Sequence, residues 1–327
     1  MNHRLLIMLL IFVLSVLVVA GCSTNTTSQG NEGSTSKEAF PTKEIHLVIP
    51  FSAGSGADIF ARKLAKLAEA ELGQKIVAEN KPGGSGSIAL AYVLSQPADG
   101  YTIATHSRTF SFLLGGGEAP FELKDFDAVV RINGESSALM VNTEGQFKSL
   151  EDFVNYAKEN PGKLKVGGPG TGSFHHMVAM LLMEKAGIEF TWIPYDGGKE
   201  AVLDLLGKNV DAVIATASNA KAQIDSGNIA VLANSVSETV SGIPTFKEKG
   251  YDIEEILWRG VFVKAGTPDE RVKALEEAFS KAIQTQEWAD YQKEFEQEDA
   301  FMSSSDFNPY LVNEVEKTMQ FLQNINK

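Results

Sequence analysis

Three glycine-rich turns are the parts of this chain best suited to chemistry. They are Pro50-Phe51-Ser52-Ala53-Gly54-Ser55-Gly56-Ala57-Asp58, Asn80-Lys81-Pro82-Gly83-Gly84-Ser85-Gly86-Ser87 and Gly167-Gly168-Pro169-Gly170-Thr171-Gly172-Ser173. Glycine permits a tight turn that points successive backbone N–H groups the same way. A helix opening at the end of the turn adds its own free N–H groups and positive dipole end. Asp58 falls in the first turn of such a helix, where its charge is favourable and its carboxylate can cap a loop N–H. Lys81 is the only cation in the three loops, so the chemistry on offer is recognition of an anion by neutral donors. Each such donor contributes about 1 kcal/mol net, somewhat more toward a charged acceptor. A carboxylate held this way is recognised without being trapped. A single glycine turn is often an ordinary connection between strand and helix; three of them point to a site.

Other chemistry is sparse. His175 and His176 are adjacent, so on a helix they point about 100° apart and cannot chelate as a pair spaced by four would. They are read as core or helix-end residues, and no metal site is expected. Gly84 to Ala89 fits a dinucleotide fingerprint, yet the following strand, Tyr101 to Thr105, runs into His106 and not into an acid. Without a Walker lysine or a nucleophile elbow, a nucleotide-dependent enzyme is disfavoured and no cofactor is expected.

The elements that must position these loops follow from hydrophobic spacing. Ile45 to Ile49 is a β-branched run, and Phe60, Leu64, Leu67 and Ala68 share one face of the helix after the first turn. A second unit follows, with Lys75 to Glu79 as strand, a helix through Ile88, Ala91 and Leu94, and Tyr101 to Thr105 as strand. The pattern resumes with strand Ala138 to Val141, helix Leu150 to Lys158 and strand Lys163 to Gly167. A helix then carries Phe174, Met177, Val178, Leu181 and Leu182 on one side. Strand and helix alternate through Phe190 to Pro194, Ala201 to Leu206, Ala212 to Ala215 and Ile229 to Ala233. Leu257 to Val263 is a further strand, and helices Pro268 to Gln284 and Asp306 to Ile325 close the chain. This predicts an α/β fold of two lobes, with mainly parallel sheets flanked by helices and the glycine turns at the carboxyl edges of the strands. The site is expected between the lobes.

The N-terminal end reads as an export signal, with Arg4 as the early charge and an apolar run from Leu5 to Ala20 too short to span a membrane comfortably. Val19-Ala20-Gly21-Cys22 resembles a bacterial lipobox, and Cys22 is the one cysteine of the chain. That excludes an intramolecular disulfide framework. Ser23 to Lys37 is rich in Ser, Thr, Gly and Asn and is read as a flexible tether. The formal charge of −13 grows more negative by one when Arg4 leaves with the signal. Such a surface repels nucleic acid and anionic lipid, so membrane attachment must come from acyl chains on Cys22.

Taken together, several segments resemble the substrate-binding proteins of tripartite tricarboxylate transporters, the Bug family. They are PFSAGSGADIFAR from Pro50, ENKPGGSGSIA from Glu79, ADGYTI from Ala98 and LKDFDAVVRI from Leu123. In the second half they are GPGTGSFHH from Gly168, IPYDGGKEAVLDLLGKNVDA from Ile193, and WRG and AGTP at Trp258 and Ala265.

The resemblance implies a flytrap fold: signal 1–21, tether 22–40, one lobe of residues 41–139 plus 258–327, and a second lobe of residues 140–257. It implies that Phe51, Ser52, Ala53, Gly54, Ser55 and Gly56, with Pro82, Gly83, Gly84, Ser85 and Gly86, grip a ligand carboxylate partly through waters. The distal side is then Thr171, Gly172, Ser173, Tyr195, Asp196 and Gly198, with Thr216 and Ser218. The expected partners are a small carboxylate and the membrane subunits of the transporter. The resemblance implies a lipid-anchored extracytoplasmic monomer, and a ligand-sensing lipoprotein is the alternative.

Three residues depart from the family pattern. Ser55 replaces a glycine, Asp196 stands where lysine is common, and Arg108 takes the place of a small polar residue. Asp196 either faces the distal ligand group or caps the helix that begins at Gly197 or Gly198.

Overall fold

The computed structural model describes residues 39–117, 119–236 and 242–325. The signal, Cys22 and the tether as far as residue 38 lie outside the described residues.

The first lobe opens with β1 (Ile45–Ile49), buried at both ends of its run. Loop 1 leads into α1 (Gly56–Leu72), whose N-terminus is capped by Ser55 Oγ accepting the Asp58 N–H, and whose buried face includes Phe60, Leu64 and Ala68. Then come β2 (Ile76–Asn80), loop 2, α2 (Ser87–Ser95), β3 (Thr102–Ser107), α3 (Thr109–Gly115) and the long β4 (Phe126–Ser136). In α2 the buried residues are Ala89, Leu90 and Val93, while Ile88 is exposed. The core therefore takes a face adjacent to the Ile88, Ala91, Leu94 row.

The chain enters the second lobe at β5 (Ala138–Asn142), immediately after Ser137. There α4 (Leu150–Glu159), β6 (Lys165–Pro169), loop 3, α5 (Phe174–Ala186), β7 (Thr191–Tyr195), α6 (Gly198–Leu206), β8 (Ala212–Ala215), α7 (Lys221–Asp225) and β9 (Ile229–Asn234) follow. It returns through β10 (Ile256–Lys264), α8 (Asp269–Ala282), α9 (Gln286–Glu294), β11 (Glu298–Ser303) and α10 (Ser304–Ile325).

The first sheet has the order β11-β4-β10-β3-β1-β2 and the second β7-β6-β8-β5-β9. Both sheets are mixed. β1 lies parallel to β2 and β3, and β6 parallel to β7 and β8, so the α/β alternation does produce the parallel half of each sheet. The strands that carry the chain between lobes run against their neighbours: β10 is antiparallel to β3 and β4, and β5 to β8 and β9. A connection that leaves one sheet to build the other has no crossover helix to restore its direction.

Each lobe has its own core, one around Leu47, Phe60, Val130 and Phe279 and one around Leu139, Phe153, Phe174 and Ile214. Helix α10 serves both. Its Phe307 and Leu311 pack with Trp258 and Phe262, and its Phe321 and Leu322 pack against the second core.

Candidate functional site

The three glycine loops do meet, because each follows the carboxyl end of a parallel strand and the two sheets turn those ends toward each other. Ser85 Oγ of loop 2 donates to Thr171 O of loop 3 at 2.5 Å. Gly56 N, at the start of α1, donates to Oδ1 of Asn219 from the other lobe at 2.9 Å. Deeper, Phe174 N at the start of α5 donates to Thr109 Oγ1 at 3.1 Å. Two of the spaces between the lobes border these loops. The inner one, about 20 Å³, is lined among others by Ser55, Gly56, Thr109, His175, Thr216 and Arg259. The outer one, about 570 Å³, is lined among others by Phe51, Gly84, Ser85, Thr171, Tyr195 and Asp196. By volume the inner space admits about one water molecule and the outer one a small organic ligand.

The expected site residues divide between these spaces. Phe51 borders both; Ser55, Gly56, Gly198 and Thr216 border the inner one, and Gly83, Gly84, Ser85, Thr171, Tyr195 and Asp196 the outer. Ser52 Oγ is buried with no hydrogen-bond partner and sits against Gly197 of the opposite lobe. Ser218 Oγ bonds Thr216 Oγ1 at 2.8 Å.

Other expected residues serve the loops. Ala53 is exposed and Pro82 half-buried, and neither lines these two spaces. Ser173 is buried and caps α5 by accepting the His176 N–H. Gly172 N donates to His176 Nδ1 at 3.2 Å. Gly86, with φ of 99°, packs so closely on His106 that a Cβ would stand 2.3 Å from Nε2. Only glycine combines that dihedral with that approach.

The three departures from the family pattern now have definite surroundings. Ser55 caps α1. Asp196 does not cap α6, since the N-cap is Gly197 and no side chain bonds there; it is exposed at the rim of the outer space. Arg108 belongs to a different structure altogether. Its Nη1 pairs with Glu255, and its Nε lies 3.1 Å from Glu314 Oε1. Glu314 also accepts from Ser111 Oγ, Trp258 Nε1 and Tyr310 OH. Two carboxylates therefore occupy the charge of Arg108, away from the cleft spaces. Tyr195 is similarly engaged, donating its OH to Asp204 Oδ2 at 2.6 Å; burial and then Asp204 hold its pKa above the usual phenol value.

Several cleft residues were not anticipated. Lys199 brings its ammonium to loop 1, where a Cβ at Gly54 would be 2.7 Å from Nζ. Asn219, besides accepting from Gly56, donates through Nδ2 to Thr216 Oγ1 at 2.7 Å. Arg259 of β10 lines the inner space and pairs with Glu135 at 2.5 Å, both side chains at most 5% exposed. His175 sits beside it, with Nδ1 2.8 Å from Ser137 Oγ. Burial, and secondarily the Arg259 charge, push its pKa down to about 3, so the imidazole is neutral near pH 7. One signal for Arg259 was present: a lone charge inside the apolar run ILWRGVFV is buried or breaks the strand.

The sequence model for the tripartite tricarboxylate transporter family receptor matches residues 60–327. The chain belongs to this family. Among its relatives, the UPF0065 protein in the gbd 5' region of Cupriavidus necator is 30% identical over 292 residues, covering 88% of this chain and 89% of that one. Protein BugT of Bordetella pertussis is 29% identical over 258 residues, covering 76% and 79%. Among solved structures, the periplasmic binding protein BugD superposes with a TM-score of 0.84 at 25% identity, covering 88% of this chain and 99% of that one. Rpa4515 of R. palustris, solved with adipate, superposes with a TM-score of 0.83 at 27% identity, covering 88% and 98%. The two-lobed binding-protein fold and the role of solute receptor for a transporter follow from this membership.

Proposed function

We propose that this receptor captures a small mono- or dicarboxylate between its lobes outside the cytoplasm and delivers it, chemically unchanged, to the membrane subunits of a tripartite transporter. The observation that carries the reading is the Gly56 N–H at the first turn of α1, which faces the opposite lobe and is satisfied by an acceptor oxygen from it. An acceptor on a ligand suits the same donor. The adipate of Rpa4515 supports the carboxylate class. In this reading Phe51 to Gly56 and Pro82 to Gly86 hold the carboxylate. Thr171, Gly172, Ser173, Tyr195, Asp196, Gly198, Thr216 and Ser218 form the opposing wall. The lobes divide at Ser137 and again between Ser235 and Ile256.

No turnover is proposed at the Ser137–His175 pair, a serine and a histidine in hydrogen-bond contact beside the inner space. Burial, and secondarily the Arg259 charge, disfavour protonation of this imidazole, whereas a general base must take up a proton in the reaction. A thermal-shift screen of small carboxylates should find at least one that raises the melting temperature, since binding to the folded state alone stabilises it. Protein-dependent consumption of that stabiliser would overturn the reading.

Cys22 is proposed as the lipid anchor of a monomeric receptor. Cys22→Ser should abolish labelling by a fatty-acid probe and release the protein, with folding intact. Equal labelling of parent and variant removes the anchor.

A further inference from the structure

Arg259 is a buried cation in a run of apolar residues, and its surroundings account for only part of it. Nη2 pairs with Glu135 Oε2, and the other oxygen of Glu135 accepts from Gln297 Nε2. The guanidinium stacks over Phe60 at 5.5 Å. Nε, buried, has no hydrogen-bond partner, although Arg259 is only 4% exposed and lines the inner space of the cleft. A buried donor left unpaired is costly, and such groups call for an explanation.

The explanation lies across the space. A Cβ at Gly56 would stand 2.7 Å from Ser218 Oγ, 3.0 Å from Thr216 Oγ1 and 3.4 Å from Arg259 Nη2. The bare Cα at the head of α1 thus brings the helix N-terminus up to two hydroxyls and a guanidinium. The acceptor on Gly56 N is the amide oxygen of Asn219. Asn219 is fixed there because its own Nδ2 donates to Thr216 O and Oγ1.

We infer that Arg259 and the first turn of α1 form a seat for a carboxylate of the ligand, and that the Asn219 amide oxygen, held by Thr216, takes the place of one carboxylate oxygen when the lobes are together. The inference rests on the carboxylate-receptor reading and goes further by naming a buried cation as the specificity-determining residue. The inner space of about 20 Å³ is too small for a carboxylate, so the seat opens when the lobes part and Asn219 withdraws. Arg259 remains paired with Glu135, which keeps the local charge near zero before the ligand arrives. The arriving anion then meets one free guanidinium donor and the helix dipole rather than a naked cation. This combination selects a carboxylate over its uncharged amide.

The test is calorimetric titration of the purified full chain with adipate, succinate and their diamides, for the parent, Arg259→Gln and Arg259→Lys. Because Arg259→Gln strands Glu135 and can fail to fold, the double variant Arg259→Gln/Glu135→Gln, which removes both charges at nearly constant shape, is measured alongside. Loss of the guanidinium should weaken the better dicarboxylate by about tenfold or more, change its diamide less than about threefold, and leave Arg259→Lys in between. Dicarboxylate affinity retained in the folded double variant, or amide affinity falling in step, overturns the seat and leaves the receptor reading standing. A parent chain that binds none of a wider carboxylate panel overturns both.

Discussion

Asn219 Oδ1 accepts the Gly56 N–H at 2.9 Å, so a side chain of one lobe closes the helix end of the other. An acceptor that competes with the ligand should be strengthened by charge. Asn219→Asp is therefore expected to weaken carboxylate binding by about tenfold, because an ionised acceptor at a helix N-terminus is worth more than a neutral one. Titration with the best-binding carboxylate checks this. Unchanged or tighter binding would mean that Asn219 is not in the ligand's way.

Asp196 sits exposed at the rim of the outer space and caps nothing. Removing its charge in Asp196→Asn should shift preference toward dicarboxylates over amino-bearing carboxylates by about fivefold or less, the small size following from solvent screening. Competition titrations with matched ligand pairs give the ratio. A ratio that does not move assigns Asp196 no part in selection.

Arg108 behaves as a structural cation, held between Glu255 and Glu314. Arg108→Met leaves Glu314 with its neutral donors but uncompensated, and should lower the unfolding free energy by about 3 kcal/mol. Ligand preference should stay as in the parent. A change in preference with stability intact would return Arg108 to the cleft.

The depressed pKa of His175 predicts the direction of the acid limb. Its folded value is about 3 and its unfolded value about 6.5. Between these the unfolded chain binds the extra proton, so stability is unaffected above pH 6.5 and falls as pH falls below it. The contribution is about 1.4 kcal/mol per pH unit. His106, pushed down to about 4 chiefly by burial, acts in the same direction. Denaturant unfolding of His175→Asn between pH 4.5 and 6 should show a slope shallower by that one proton. Parallel curves for parent and variant would refute the assignment.

The loops and the helices after them were legible because both signals are local: glycine spacing for the turns, and Phe60, Leu64 and Ala68 for the buried face of α1. Elements defined by distant partners were not. β11 (Glu298–Ser303) has no buried residue and is a strand only because β4 pairs with it. In α3, the run Thr109 to Phe112 is buried at every position and so shows no helical period. Strand direction was illegible for the same reason, since the antiparallel partners of β10 lie more than a hundred residues upstream. At the site, WRG was recognisable as a motif. Which way Arg259 points depends on a register shift between Arg259 and Gly260, and Glu135 reaches it from another strand.

Helix α10 gives the molecule a mechanical property that its sheets alone would lack. Two lobes joined only by the passage at Ser137 and the return into β10 form a pair of leaves on a narrow strip, free to twist as well as to swing. A rigid rod rooted by Phe307 and Leu311 in one leaf and resting by Phe321 and Leu322 on the other adds a third bearing point off that strip. Torsion would drag the rod's tip across the second core, whereas a swing only lifts it. On this geometry the leaves would return to the same alignment at any closure, and Gly56 would meet Asn219 again rather than a neighbour one residue away.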